Sequence, residues 1–230
     1  MGYFPFYMDI EGKLCVIAGG GKVAYRKVCD LLPFGPCIRV ISKEFNAELE
    51  ALGKDASRTQ GRLQLNRRLF SMEDIKDADF VIAALSDEAL NSQISAYCKE
   101  NRIPVNVVDV KDKCSFIFPA MIKRGPVTVA VSSGGASPVF TRLLKERIKQ
   151  VLPKQTEGIA DQLGSLRQEI FSLFPDSSKK RAAVFTELAE LALDQEKTLK
   201  EDQIRQIILK YKINEELYDR TYTADRKPQK

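Results

Sequence analysis

The sequence predicts an α/β fold: a parallel sheet with helices on both faces, followed by a small mixed α+β segment and a helical end. Three observations carry this reading. Short apolar runs alternate with helical spacings over the first hundred residues, a glycine-rich turn joins the first run to the first helix, and only helical patterns remain after Pro153. Lys13–Ala18 is a compact apolar run ending in Gly19-Gly20-Gly21 and reads as a buried strand. Lys22–Leu32 has apolar residues at helical spacing, and Gly35-Pro36 ends it. Ile38–Ile41 reads as a second strand, Glu44–Leu52 as a short helix, and a polar loop runs to Gly61. Arg62–Phe70 alternates as a third strand, Asp79–Leu85 reads as a fourth, Glu88–Asn101 as a helix and Pro104–Val108 as a fifth strand.

The pattern then changes. Ser115–Ala120 and Val127–Val131 are strand-like and are joined by Lys123-Arg124-Gly125-Pro126, a turn signal. Ser137–Leu152 reads as a helix with Ser137 at its N-cap and Pro138 in its first turn. The helical remainder is broken near Pro175 and Asp194, and Thr223–Lys230 reads as a frayed end. The expected division is 1–112, 113–152 and 153–230.

Composition narrows the chemistry. The chain of 230 residues is 44% hydrophobic and 29% charged, the balance of a globular protein with a sizeable core. No stretch approaches the roughly 20 apolar residues of a membrane span. The aromatic N-terminus lacks a basic leader, so a cytoplasmic protein is expected. Five cysteines without a C-x-x-C pair suggest free thiols and no zinc site, with Cys15 in the core. There is no histidine, which removes imidazole-based triads, metal motifs and proton relays. The net charge of +5 is uneven: residues 111–154 hold nine basic side chains against two acidic ones, while both flanks are close to neutral. Such a segment calls for an anionic partner. Few aromatics accompany its charges, which argues against nucleic acid.

Gly19-Gly20-Gly21-Lys22-Val23-Ala24 matches G-x-G-x-x-G/A between a strand and a helix, the context of a Rossmann-type dinucleotide site. Gly19 allows the tight turn, Gly21 lets the backbone approach a pyrophosphate, and Ala24 keeps the helix near the sheet. The acidic residue expected at the end of strand two is missing, and Ile41-Ser42-Lys43-Glu44 stands there instead. Glu44 or Ser42 is placed to reach a ribose, and Lys43 to favour a 2′-phosphate or simply to face water. The motif therefore leaves NAD and NADP both open. Asp109, just past strand five, lies where open sheets bind ligands, although an Asp there also serves as a turn cap. Ser132-Ser133-Gly134 opens a second glycine-rich strand-to-helix junction, read either as an anion site or as a capped turn. Arg142, Lys145 and Lys149 share one face of the helix behind it, facing either an anion or water.

Together these blocks resemble the precorrin-2 dehydrogenase/sirohydrochlorin ferrochelatase family, the N-terminal module of sirohaem synthase and its stand-alone relatives. The resemblance rests on Phe4-Pro5-Phe6, Val16 to Ala24 with Arg26-Lys27, Asn106-Val107-Val108-Asp109, Ser115 to Ala120, and Val129 to Pro138 with Arg142-Leu143-Leu144. It covers residues 3–152 in unbroken order and loosens beyond Pro153. It implies NAD as cofactor and NAD-dependent oxidation of precorrin-2 to sirohydrochlorin, with Asp109 as the essential aspartate, serving as base. It also implies cofactor contacts from the glycine turn with Lys22 and Val23 and from Lys43 and Glu44. Ser133 matches a serine beside the active site that is phosphorylated in some relatives. Residues 113–150 match a segment where two chains interlock, implying a homodimer. Some relatives also insert Fe²⁺, and the chain has no cluster of metal-ligand residues, so chelation would rely on the macrocycle nitrogens. With 230 residues ending in the helical segment, no methyltransferase domain is expected. Precorrin-2 carries eight carboxylates, and the basic segment with Ser132, Ser133, Gly134, Arg142 and Lys145 is the expected place for them. The competing reading is a regulatory NAD(H)-binding module without catalysis.

Overall fold

The computed structural model describes residues 2–213; the frayed end expected at Thr223–Lys230 lies outside the described residues. The chain forms two compact units, Met1–Phe118 and Pro119–Lys230. The first is a five-stranded parallel sheet in the order β3-β2-β1-β4-β5, the Rossmann arrangement. Its strands are β1 Leu14–Ala18, β2 Cys37–Ser42, β3 Leu63–Arg67, β4 Phe80–Ala83 and β5 Val105–Val107. Its helices are α1 Lys22–Leu31, α2 Ala47–Lys54, the short α3 Ala56–Thr59, and α4 Glu88–Glu100.

The apolar runs are continuous because both faces of the sheet are covered. Cys15 and Ile17 turn to one face and join Ala24, Val28 and Leu31 of α1 and Leu49 and Leu52 of α2. Val16 and Ala18 turn to the other and meet Ile94 and Cys98 of α4. Burial pushes the Cys15 thiol far above its ordinary range and the Cys98 thiol up to about 11, so both behave as core atoms.

In the second unit β6 Ala120–Arg124 and β7 Val127–Val131 form an antiparallel hairpin, followed by α5 Pro138–Val151. The Arg124 guanidinium donates to the carbonyls of Lys149, Leu152 and Pro153, fastening the hairpin to the end of α5. Then come α6 Thr156–Ser165, α7 Arg167–Leu173, α8 Ser178–Asp194 and α9 Glu201–Ile213, which share a core around Ile170, Val184, Leu188 and Tyr211. No helix of the described residues is long and apolar enough to cross a membrane.

Three expectations need correction. The helix read from Glu44 starts at Ala47, because the Asn46 side chain accepts the amides of Glu48 and Leu49 and so fixes the N-cap. The polar loop before Gly61 contains α3, capped by Asp55. Ser115–Ala120 is not a strand: the hairpin strand starts at Ala120. Ser115 instead exchanges bonds with Val105, while Phe116 and Phe118 pack onto the core of the first unit.

Candidate functional site

The strands of a parallel sheet all end at one edge, and there the chain makes four turns: Gly19–Gly21 after β1, Ser42–Phe45 after β2, Ala84–Ser86 after β4 and Val108–Asp109 after β5. Gly19 takes φ +110, and a Cβ there would lie 2.3 Å from the Ala84 carbonyl oxygen. Gly20 is closed in as well: a Cβ would meet the Glu44 carbonyl oxygen at 2.5 Å and the Phe45 ring at 2.6 Å. The Asn46 amide also donates to the Gly20 carbonyl at 2.8 Å. Lys43 and Glu44, both exposed, are thereby held beside the glycine turn.

Gly21 is different. Its backbone (φ −78, ψ −172) suits any residue, and a Cβ there would meet no protein atom within 4 Å. Neither conformation nor packing explains the glycine, whereas close approach of a ligand does. Gly21 is the N-cap of α1 with no side-chain cap, so the first-turn amides beside Lys22, Val23 and Ala24 face that space with the positive end of the helix dipole. Ala24 is fully buried against the sheet. These residues fit the pyrophosphate of a dinucleotide.

Asp109 sits at the same edge. It adopts φ +62, a left-handed conformation that Asp tolerates better than most side chains. It is exposed, and among the described residues it caps no helix. The loop that presents it is braced from beneath. The Val108 amide donates to Ala83, the Cys114 thiol meets the carbonyls of Val107 and Val110 at 3.2 and 3.3 Å, and the Asn106 amide donates to the Phe116 carbonyl.

Two neighbours were not singled out from the sequence. Lys27 of α1 lies half-buried with its ammonium 3.6 Å from the centre of the Phe118 ring. Burial holds that ammonium below the usual lysine range, against opposing pulls that include Asp30 and Asp109. Asn91 of α4 is buried and pairs with both backbone groups of Leu85, pinning the turn after β4. Arg26-Lys27 next to the fingerprint was the one available signal for the first. Nothing in the sequence marked the second.

The remaining candidates belong to the second unit. Ser132 Oγ accepts from the Gly134 amide, and Ser133 Oγ accepts from the Ser137 amide and lies 3.0 Å from Thr141 Oγ1. Ser137 in turn caps α5 at Phe140. The serine block thus organises the start of a helix of 14 residues. Along it Arg142 and Lys149 are exposed, while Lys145 is half-buried and pairs with Glu146 at 3.2 Å.

A parallel sheet in Rossmann order, with a glycine turn open at Gly21 and a carboxylate at the same edge, defines a dinucleotide-binding protein. A family model described as putative NAD(P)-binding matches residues 6–120, half of the chain, and the chain belongs to that family. A second model, described as sirohaem biosynthesis protein central, matches residues 124–150. The siroheme synthase of Nitrosospira multiformis is 42% identical over 181 residues, covering 79% of this chain and 38% of its own length. That of Mannheimia succiniciproducens is 40% identical over 170 residues, covering 74% and 35%. The chain therefore spans under two fifths of these relatives. A solved structure described as SirC, precorrin-2 dehydrogenase, is similar with a TM-score of 0.66 at 21% identity, over 92% of this chain and all of that one, and shows the same fold.

Proposed function

We propose that the chain is an NAD-dependent dehydrogenase that oxidises precorrin-2 to sirohydrochlorin in sirohaem synthesis, working as a cytoplasmic homodimer. The observation that carries this reading is the meeting at one sheet edge of a turn open to a pyrophosphate and an exposed carboxylate, Asp109. Identity to siroheme synthases over 79% of the chain supports the choice of substrate.

Bound NAD⁺ supplies the hydride acceptor. The amides of the first turn of α1 would hold the pyrophosphate, and Lys43 and Glu44 would serve the ribose. Oxidation of the macrocycle releases one hydride and one proton, and Asp109 takes the proton on a carboxylate oxygen. With no histidine in the chain, no imidazole competes for that role. The left-handed loop holds the Asp109 backbone at the sheet edge, and the exposure of the side chain lets the proton pass on to water. In the second unit the hydroxyls of Ser132 and Ser133 and the exposed Arg142 and Lys149 would serve the carboxylates of the substrate, while Lys145 is occupied by Glu146.

The test is anaerobic incubation with precorrin-2 and NAD⁺, following NADH and the sirohydrochlorin spectrum. Asp109→Asn should lower turnover by about two orders of magnitude while leaving dinucleotide affinity and melting temperature unchanged. Wild-type turnover in the folded variant would remove the role of Asp109. A wild-type protein that binds NAD⁺ but forms no NADH would instead be a regulatory module. The same preparation given sirohydrochlorin and Fe²⁺ reads whether the macrocycle is also metallated.

A further inference from the structure

The helical part of the second unit holds a cavity of about 550 Å³, bounded by α6, α7 and α8 and distinct from every residue assigned above. Its volume falls in the range that encloses small-molecule ligands, roughly 300–1,000 Å³. The floor is made of small residues one helical turn apart, Ala160 and Gly164, and a Cβ at Gly164 would meet nothing within 4 Å. Leu163, Phe171 and Phe185 supply apolar walls, and Phe171 is left 47% exposed.

Among the described residues, two arginines and no carboxylate line this apolar space. Arg181 is held in place: its Nη1 donates to the carbonyls of Phe174 and Pro175, both at 2.7 Å, and its guanidinium lies 4.5 Å from the centre of the Phe171 ring. Among the described residues no acidic side chain pairs with it, and Arg167 has no ion-pair partner. Elsewhere the arginines at positions 39, 62, 67, 68 and 205 each face an acid. A fixed guanidinium and a second cation beside apolar walls, with no counter-ion among the described residues, complement a ligand that is apolar at one end and anionic at the other.

We propose that this cavity binds an aromatic carboxylate, its apolar body against Leu163, Phe171 and Phe185 and its carboxylate facing Arg167 and Arg181. The chemistry is shared by small aromatic acids and by carboxylated tetrapyrroles, and it holds whether or not precorrin-2 is the substrate. The probe is 2-naphthoate, titrated into the full chain saturated with NAD⁺ and followed by calorimetry. One saturable site per chain is expected. Gly164→Leu, whose Cβ would meet no protein atom within 4 Å, puts a branched side chain on the floor and should abolish binding. Arg167→Glu, at an exposed position, should weaken it about tenfold or more, as loss of a charge-assisted bond implies. Melting temperature and NAD⁺ affinity should stay unchanged in both. Displacement of naphthoate by uroporphyrin assigns the cavity to tetrapyrrole carboxylates, and failure to displace it assigns the cavity to small aromatic acids. The absence of a saturable site overturns the proposal. So does undiminished binding to Arg167→Glu, or equal affinity for the neutral 2-naphthalenemethanol.

Discussion

Gly20 and Gly21 are neighbours with the same side chain, yet they resist substitution for opposite reasons. A side chain at Gly20 runs into the turn after β2, so Gly20→Val should lower the melting temperature and weaken cofactor binding together. Gly21→Val should leave the melting temperature of the ligand-free protein unchanged and abolish NAD⁺ binding, because only the ligand needs that space. Thermal melts beside calorimetric titrations separate the two, and unchanged affinity in Gly21→Val would place the pyrophosphate elsewhere. Asp74 allows a test by pH. Bonds from Arg68 first, and the Ser71 amide after it, hold its carboxyl below the ordinary 3.8. The stability this contributes is present above that ordinary value and is lost as pH falls through the lower, folded-state value. Asp74→Asn should therefore cost about 1 kcal/mol at neutral pH, since water screens the half-exposed Arg68, and should flatten the acid limb of the stability curve. At this scale spacing and position singled out Gly19, Gly21 and Asp109 in the sequence. Gly20 was hidden as the free position of the motif, and the ring contact of Lys27 was hidden because its partner Phe118 lies 91 residues along the chain.

Among the elements, α5 carries the clearest test. Its basic face has three members by spacing, but Lys145 is tied to Glu146, which leaves Arg142 and Lys149 as the exposed pair. Reversing both to Glu should raise the KM for precorrin-2 severalfold, with added salt having the same effect on the wild type, and should leave NAD⁺ affinity unchanged. Parallel loss for both substrates would mean general damage to the helix. The strands around which the first unit is built were legible because a sheet covered on both faces demands uninterrupted apolar runs. The start of α2 was misplaced because a cap, Asn46, outranked the charged residues before it. Ser115–Ala120 misled because alternation reports side-chain burial and not ladder pairing. Phe116 and Phe118 bury their rings without a partner strand.

For the whole molecule, the exposed apolar side chains Val139, Phe140 and Leu143 of α5 support assembly into a homodimer. Light scattering should give twice the chain mass at micromolar concentration, and Leu143→Arg should shift it to the monomer. A monomeric wild type would contradict the assembly. The division at Phe118 was less legible than the sheet, because the chain leaves the first core through an irregular aromatic stretch that reads as a strand. Arg124 has a consequence for how the second unit comes into being. The carbonyls it grips lie 25 to 29 residues downstream. At a translation rate of about 5–20 residues per second, the arginine waits roughly 1–6 s for its acceptors to be synthesised. During that interval the hairpin stands in the growing chain without its fastening, and the second unit closes only after α5 has been made to its last turn.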